Sequence, residues 1–267
     1  MTGGSRNGGG RGLEARGLTK RYASVAVVRA VDVVVRPGEV IGYLGPNGSG
    51  KTTTVRMVTG LTEPSEGTVL HDGRSIFGDL VAFRRRLGYV PEEAHLYPFL
   101  SGREYLELVG RLRELPVALL ERKINSLLEL FGILGAADQP LSGYSKGMKQ
   151  KVLISAALLH DPDLLILDEP ESGLDVTAVL VLRSLITELA RRGKAILYSS
   201  HILEVVERVC DRVIVLHKGN VVADDSIARL RALSSSTSLE GVFSQLVIRE
   251  DPESIARDLA DLAATGS

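Results

Sequence analysis

Eight consecutive residues, Gly45-Pro46-Asn47-Gly48-Ser49-Gly50-Lys51-Thr52, fit the pattern G-x-x-x-x-G-K-[ST]. A short apolar run, Val40 to Leu44, precedes them, and a helical pattern through Val55, Met57 and Val58 follows. Strand, loop and helix in that order are the context a phosphate cradle needs. Glycines let the backbone fold into a nest of N–H donors, and the helix start turns its positive end toward the same anion. In such a cradle Lys51 reaches the β- and γ-phosphates, the Thr52 hydroxyl coordinates Mg²⁺ and Thr53 reaches the α-phosphate. A glycine-rich turn before a helix is the plain alternative, and the flanking strand and helix weigh against it.

A second candidate lies far along the chain. Leu164 to Leu167 is an apolar run ending in Asp168-Glu169. A buried strand would deliver Asp168 to the carboxyl edge of a sheet, where ligands bind in α/β folds. There Asp168 would hold Mg²⁺, directly or through water, and Glu169 would act as general base on an attacking water. Solvated acids after a strand would read the same in isolation; the phosphate loop is what favours the chemical reading.

Several elements must position these residues. Short apolar runs at Val40–Leu44, Leu87–Val90, Leu164–Leu167, Ala195–Tyr198 and Val213–Leu216 read as buried strands, and Val31–Val35 and Thr68–Leu70 as further ones. Residues 99–160 are mostly helical, with breaks near Pro116 and over Ala136–Gly143, and Val179–Ala190 reads as another helix. Strands alternating with helices imply a parallel sheet covered on both faces. Beyond Asn220 the pattern weakens: Ser234–Ser238 reads as a linker, Leu239–Leu246 as a short helix and the acidic stretch from Glu250 as a solvated, partly frayed end. Met1–Gly12, rich in glycine and without an apolar core, reads as a flexible tail rather than a secretory signal.

Composition narrows the function classes. Across 267 residues, 32 Lys and Arg face 33 Asp and Glu, a net charge of −1 that argues against nucleic-acid binding. The single cysteine, Cys210, excludes an internal disulfide and fits a reducing compartment. No apolar run is long enough for a membrane-spanning helix, so the expected location is cytoplasmic, with docking on a membrane partner left open.

The segment Leu141 to Val152 reads LSGYSKGMKQKV, just before Asp168. With Ser172-Gly173-Leu174-Asp175 and His201, it makes the chain resemble the nucleotide-binding domain of ATP-binding cassette (ABC) proteins, from about Leu13 to Asp225. The family's signature LSGGQ is followed by a basic-Gln-basic triplet. Here that triplet is Lys149-Gln150-Lys151, which places the signature at Tyr144–Met148 rather than at Leu141. Ser145 and Gly147 then match, and Tyr144, Lys146 and Met148 depart. The implied fold is an α/β P-loop NTPase (RecA-like) parallel sheet core, with an N-terminal antiparallel β part and an inserted α-helical subdomain. The implied division is a flexible tail over 1–12, an ATP-binding domain over 13–225 with its helical subdomain at about 96–150, and an extension over 226–267, partly helical and partly disordered.

The resemblance also implies ATP and Mg²⁺ as ligands, bound between two head-to-tail copies or between this chain and a homologous cassette. Ser145, at a helix N-terminus, would bind the γ-phosphate held by the other protomer, though a plain N-cap serine reads identically. Asp175 would link the two sites across the interface. His201 would contact the γ-phosphate and orient the water, and Tyr22 matches the aromatic that stacks on adenine. Most ABC domains carry glutamine after the strand Leu87–Val90 and Pro91, touching Mg²⁺ or the attacking water; this chain has Glu92, and a carboxylate can also ligate Mg²⁺. The Pro91-Glu92 form, the Tyr144–Met148 signature and the Leu239–Phe243 stretch look like ATPase subunits of ABC-2-type exporters. A separate membrane-spanning permease is then the expected partner, with this chain peripheral on the cytoplasmic face. Leu96, Tyr97, Pro98 and Phe99 are candidates for its docking groove or simply core.

Overall fold

The computed structural model describes residues 12–234 and 238–247. Of the tail read over Met1–Gly12, only Gly12 lies within those residues, bonded through its N–H and its carbonyl to Asp72; the middle of the Ser234–Ser238 linker and the acidic stretch from Glu250 lie outside them.

Two sheets organise the chain. The larger contains β3 (Val40–Leu44), β6 (Leu87–Val90), β7 (Leu164–Asp168), β8 (Ala195–Ser199), β9 (Arg212–His217) and β10 (Asn220–Ser226), in the order β10-β9-β3-β8-β7-β6. All neighbours are parallel except β10, which pairs antiparallel with β9. The smaller sheet, β2-β1-β4-β5, is antiparallel and is built from β1 (Leu13–Tyr22), β2 (Val25–Val35), β4 (Glu66–His71) and β5 (Arg74–Ser75).

The unbroken apolar character of the central strands has a direct cause. On β7, Leu164 and Ile166 join one core while Leu165 and Leu167 join the other. In the same way Ala195 and Leu197 on β8 join the first core and Ile196 and Tyr198 the second, as do Ile214 and Leu216 against Val213 and Val215 on β9. Both faces of the sheet are covered along these strands, so their central positions are apolar. Each fully buried aliphatic side chain contributes about 1.5–3 kcal/mol. One core lies between the two sheets and takes in α1 (Lys51–Val58); α2 (Leu80–Arg86) closes it through Phe83. The other is covered by α6 (Val176–Arg191), α7 (Leu203–Val209), α8 (Ile227–Ser234) and α9 (Leu239–Val247).

A third core joins α3 (Gly102–Leu112), α4 (Val117–Leu130) and α5 (Lys146–Leu158). Helix α5 belongs to two cores at once: Val152 and Ala156 face the helical group, while Leu153, Ile154 and Ala157 face the sheet. That double burial ties the helical part to the strands that carry the acids.

The structure adds three strands to the sequence reading. The sequence pattern marks no strand at β1 or β5, and β10 lies where the apolar signal fades. β1 alternates apolar with charged residues and bends at Gly17, where its register against β2 shifts. β10 is an edge strand with Asp224 and Asp225, half-exposed along its length. Likewise β2 extends well upstream of Val31, through a segment in which Arg29, Ala30 and Asp32 interrupt the apolar run. The breaks read near Pro116 and over Ala136–Gly143 match the α3–α4 junction and two short 3₁₀ turns before α5.

Candidate functional site

The loop between β3 and α1 wraps a cavity of about 250 Å³ lined by Val27, Pro46, Asn47, Gly48, Gly50, Lys51, Thr52, Thr53, Glu92, Asp168 and Glu169. Gly50 takes φ +107°, and a Cβ there would stand 2.8 Å from the Val27 carbonyl oxygen, so no other residue fits. Ser49 is buried beneath the loop; its N–H donates to Pro46 O at 3.1 Å, and its own carbonyl accepts from Gly219 N–H at 2.9 Å. Lys51 is buried, and its ammonium donates to Gly45 O at 2.5 Å and Pro46 O at 3.3 Å. Burial lowers its pKa against the pull of Glu169, Asp168 and Glu92. A desolvated ammonium facing a helix N-terminus makes a strong anion site.

Strand β7 ends with Asp168 at the mouth of this cavity. Its Oδ2 is buried and has no hydrogen-bond partner among the described residues, and burial raises its pKa. Glu169 follows in the left-handed region, φ +49°, its N–H donating to Ser199 O at 2.9 Å. Burial, then the nearby Glu171, raises the Glu169 pKa. His201 Nδ1 lies 2.6 Å from Glu169 Oε2, although the ring is mostly exposed and does not line the cavity. A desolvated carboxylate paired with an imidazole beside a phosphate cradle can take a proton from water.

Thr52, Glu92 and Asp168 are shared with an adjoining cavity of about 420 Å³, which Arg56, Tyr89 and His95 also line. These three offer only oxygen donors, and the orphaned Asp168 Oδ2 is an anionic one; the set fits a hard cation such as Mg²⁺. No group of three or more His, Cys, Asp or Glu among the described residues is arranged to hold a metal alone.

Tyr22 ends β1, half-exposed, with the Lys20 ammonium 5.5 Å from its ring centroid, and it does not line the phosphate cavity. Leu96 packs between two cores, whereas Tyr97 and Phe99 are exposed, Phe99 by 90%.

Ser145, Gly147 and Asp175 form a separate group. Ser145 is the N-cap of α5 and accepts from Met148 N–H at 3.2 Å, while Leu141–Gly143 is a 3₁₀ turn with Leu141 buried. Asp175 caps α6, accepting from Ala178 N–H at 2.8 Å, a bond that lowers its pKa. A Cβ on Gly147 would stand 2.5 Å from Gly173 O, so the two helix starts are locked together. None of the three lines the phosphate cavity.

Sequence reasoning missed Val27, which reaches the cavity from β2 and carries no local signal. It also missed Glu171, a buried carboxyl bonded to Tyr198 and Ser200. Gln150, read only as part of a triplet, donates from its buried Nε2 to Pro170 O at 3.0 Å, joining α5 to the turn after Glu169.

A parallel sheet with a phosphate loop on one strand and an Asp-Glu pair on another defines the P-loop NTPase class. Comparison with known proteins narrows it. The ABC transporter family model matches residues 28–172. The ATP-binding protein NatA of Bacillus subtilis is 38% identical over 84% of this chain and 92% of its own. The Nod factor export ATP-binding protein I of Ralstonia nicotianae is 38% identical over 79% of this chain and 68% of its own. A solved ATP-binding subunit of an ABC transporter superposes with a TM-score of 0.83 at 36% identity, covering 88% of this chain and 98% of that one. The chain belongs to the ABC transporter family and is an ATP-binding, ATP-hydrolysing member of it. No helix among the described residues is long and apolar enough to cross a membrane.

Proposed function

We propose that this chain is the ATPase subunit of an exporter, binding ATP with Mg²⁺ between two head-to-tail copies and driving a separate membrane-spanning permease. The observation that carries the hydrolytic part is the 2.6 Å contact between Glu169 and His201 beside the Lys51 loop. Export is supported by the relatives named for it.

In this reading Gly45–Lys51 and Thr53 hold the phosphates and Tyr22 stacks on the adenine. Thr52, Asp168 and Glu92 would hold Mg²⁺, which when bound would supply positive charge to offset that of the phosphates. Glu169 takes the proton of the attacking water. His201 keeps the Glu169 carboxylate oriented through Nδ1 and presents Nε2 to the γ-phosphate. The water oxygen bonds to the γ-phosphorus, the bond to the β-phosphate oxygen breaks, and ADP and phosphate result. Ser145 and Gly147 of one copy face the γ-phosphate held by the other, and Asp175 links the two sites. Residues 13–225 form the ATP-binding domain, with about 96–150 as its helical part. The chain from 226 onward is an extension whose described helices, α8 and α9, pack into the sheet's second core. The protein works on the cytoplasmic face of the membrane.

Two measurements test this. ATP should convert full-length Glu169→Gln from monomer to dimer in sizing experiments while turnover almost stops. Rapid hydrolysis by that variant would falsify the role of Glu169. Tagged protein purified from detergent-solubilised native membranes should carry a polytopic membrane protein with it. Recovery of only ribosomal, nucleic-acid or assembly components would replace the transport reading with a non-transport ABC ATPase.

A further inference from the structure

The turn after β7 holds a second buried carboxyl that the hydrolytic chemistry above does not use. Glu171 is 4% exposed and does not line the phosphate cavity. Tyr198 donates its hydroxyl to Glu171 Oε2 at 2.7 Å, and Ser200 donates its hydroxyl to Oε1. The Ser200 oxygen also accepts from Ile202 N–H at 3.0 Å. His201 is the residue between, so one hydroxyl bridges the backbone around His201 and fastens it to Glu171.

At its other end Glu171 belongs to the turn that begins at Glu169. That turn is closed by Ser172 N–H to Glu169 O and Leu174 N–H to Glu171 O, each 3.0 Å, and by Gln150 Nε2 to Pro170 O. The segments carrying Glu169 and His201 are therefore joined three times: by the backbone bond from Glu169 N–H to Ser199 O at 2.9 Å, by the contact between the two functional groups, and in the interior through Glu171. The inner link matters because little else holds His201. Its side chain is 71% exposed, and Ile202, the N-cap of α7, offers no side-chain cap. Glu169 itself has a left-handed backbone, which persists only where its surroundings over-determine it.

We propose that Glu171 is a positioning residue for hydrolysis: its carboxyl holds Ser200, and through it His201, in register with Glu169. This rests on the assignment of Glu169 and His201 made above. Displacements of about 1 Å at a reacting centre cost up to roughly 100-fold in rate, and the effect falls on turnover rather than on nucleotide affinity.

The test is steady-state ATPase kinetics on the full chain, with thermal melts recorded for every variant. Ser200→Ala removes the bridging hydroxyl without leaving a large cavity and is expected to lower kcat about 10-fold with the KM for ATP within about twofold. Glu171→Ala should do the same or more, and Glu171→Gln, which keeps a carbonyl acceptor, should recover most of the rate. In a His201→Ala background Ser200→Ala should cost nothing further, because it acts through the residue already removed. Wild-type kcat in folded Ser200→Ala, or losses that multiply in the His201→Ala background, would overturn the proposal. If Glu171→Ala does not fold, Ser200→Ala and Glu171→Gln decide alone. Glu169→Gln separates the two failures. An active Glu169→Gln chain removes the underlying assignment and this proposal together, whereas an inactive one beside a fully active Ser200→Ala removes this proposal only.

Discussion

The phosphate loop and the paired starts of α5 and α6 are built in opposite ways. At the loop, groups from β2, the β3–α1 turn, the segment after β6 and the end of β7 converge on one cavity, where Lys51, Asp168 and Glu169 are all desolvated. At α5 and α6, Ser145 and Asp175 are exposed, and each bonds its side-chain oxygen to the N–H groups of its own helix. Gly147 and Gly173 make a close contact there. The first region holds its chemistry within one chain. The second presents two helix N-termini to solvent and reaches a phosphate only if that phosphate is brought by something else, which the proposed head-to-tail pairing supplies.

Variants on the two sides should therefore fail differently. The largest loss is expected at Glu169→Gln, where removing the general base lowers kcat about 10²- to 10⁴-fold with ATP still bound. Lys51→Ala should weaken ATP binding by single chains roughly 10- to 100-fold in calorimetry, the worth of hydrogen bonds from a charged donor. Ser145→Ala sharpens the contrast. Affinity measured on dilute single chains should not change, whereas ATPase activity at dimer-forming concentration should fall about 10-fold, as for one lost phosphate contact. Equal affinity losses in Lys51→Ala and Ser145→Ala would break the comparison, since both residues would then serve one nucleotide on one chain.

Stability separates the regions as well. Gly147→Ala forces a Cβ against the Gly173 carbonyl and should cost about 1–3 kcal/mol in denaturant unfolding. Asp168→Asn should have the opposite sign. Burial raises the Asp168 pKa, so the folded chain binds that proton more readily than the unfolded one. Its favourable contribution is then present at low pH and lost as pH rises through the folded value. The variant should melt about 2–4 °C above the wild type at neutral pH without nucleotide, and the gap should close toward pH 4. The smallest effect is expected at Lys151→Ala. Its partner Asp175 is mostly exposed, with 3.9 Å between the charges, so less than about 0.5 kcal/mol should be lost.

How far each feature could be read from the chain follows from how local its cause is. The central strands were legible because a strand buried on both faces is apolar along its run, as β3, β6 and the Leu164–Leu167 part of β7 are. The phosphate loop was legible because its glycines answer to local backbone geometry. β1 and β10 were not, because an antiparallel strand with one wet face admits charges such as Glu14, Arg16 and Asp224 and resembles a loop. Tyr22 could be matched to an adenine-stacking position, yet its place at the end of β1, outside the phosphate cavity, depends on how β1 pairs with β2 and β4.

The sequence by itself determined the alternation of strands and helices, the glycine-rich loop between β3 and α1, the acid pair at the end of β7 and the place of Ser145 at the start of α5. These follow from spacing along the chain and from the conformational demands of glycine, of N-cap residues and of buried strands. Only the tertiary structure decided that Val27 closes the cavity, that Asp168 Oδ2 is buried without a hydrogen-bond partner among the described residues, that His201 touches Glu169 and that Glu171 ties their two segments together. Each of those facts joins residues dozens of positions apart. The order of strands in the sheet brings the ends of β7 and β8 side by side, and no local pattern in either segment encodes that neighbour.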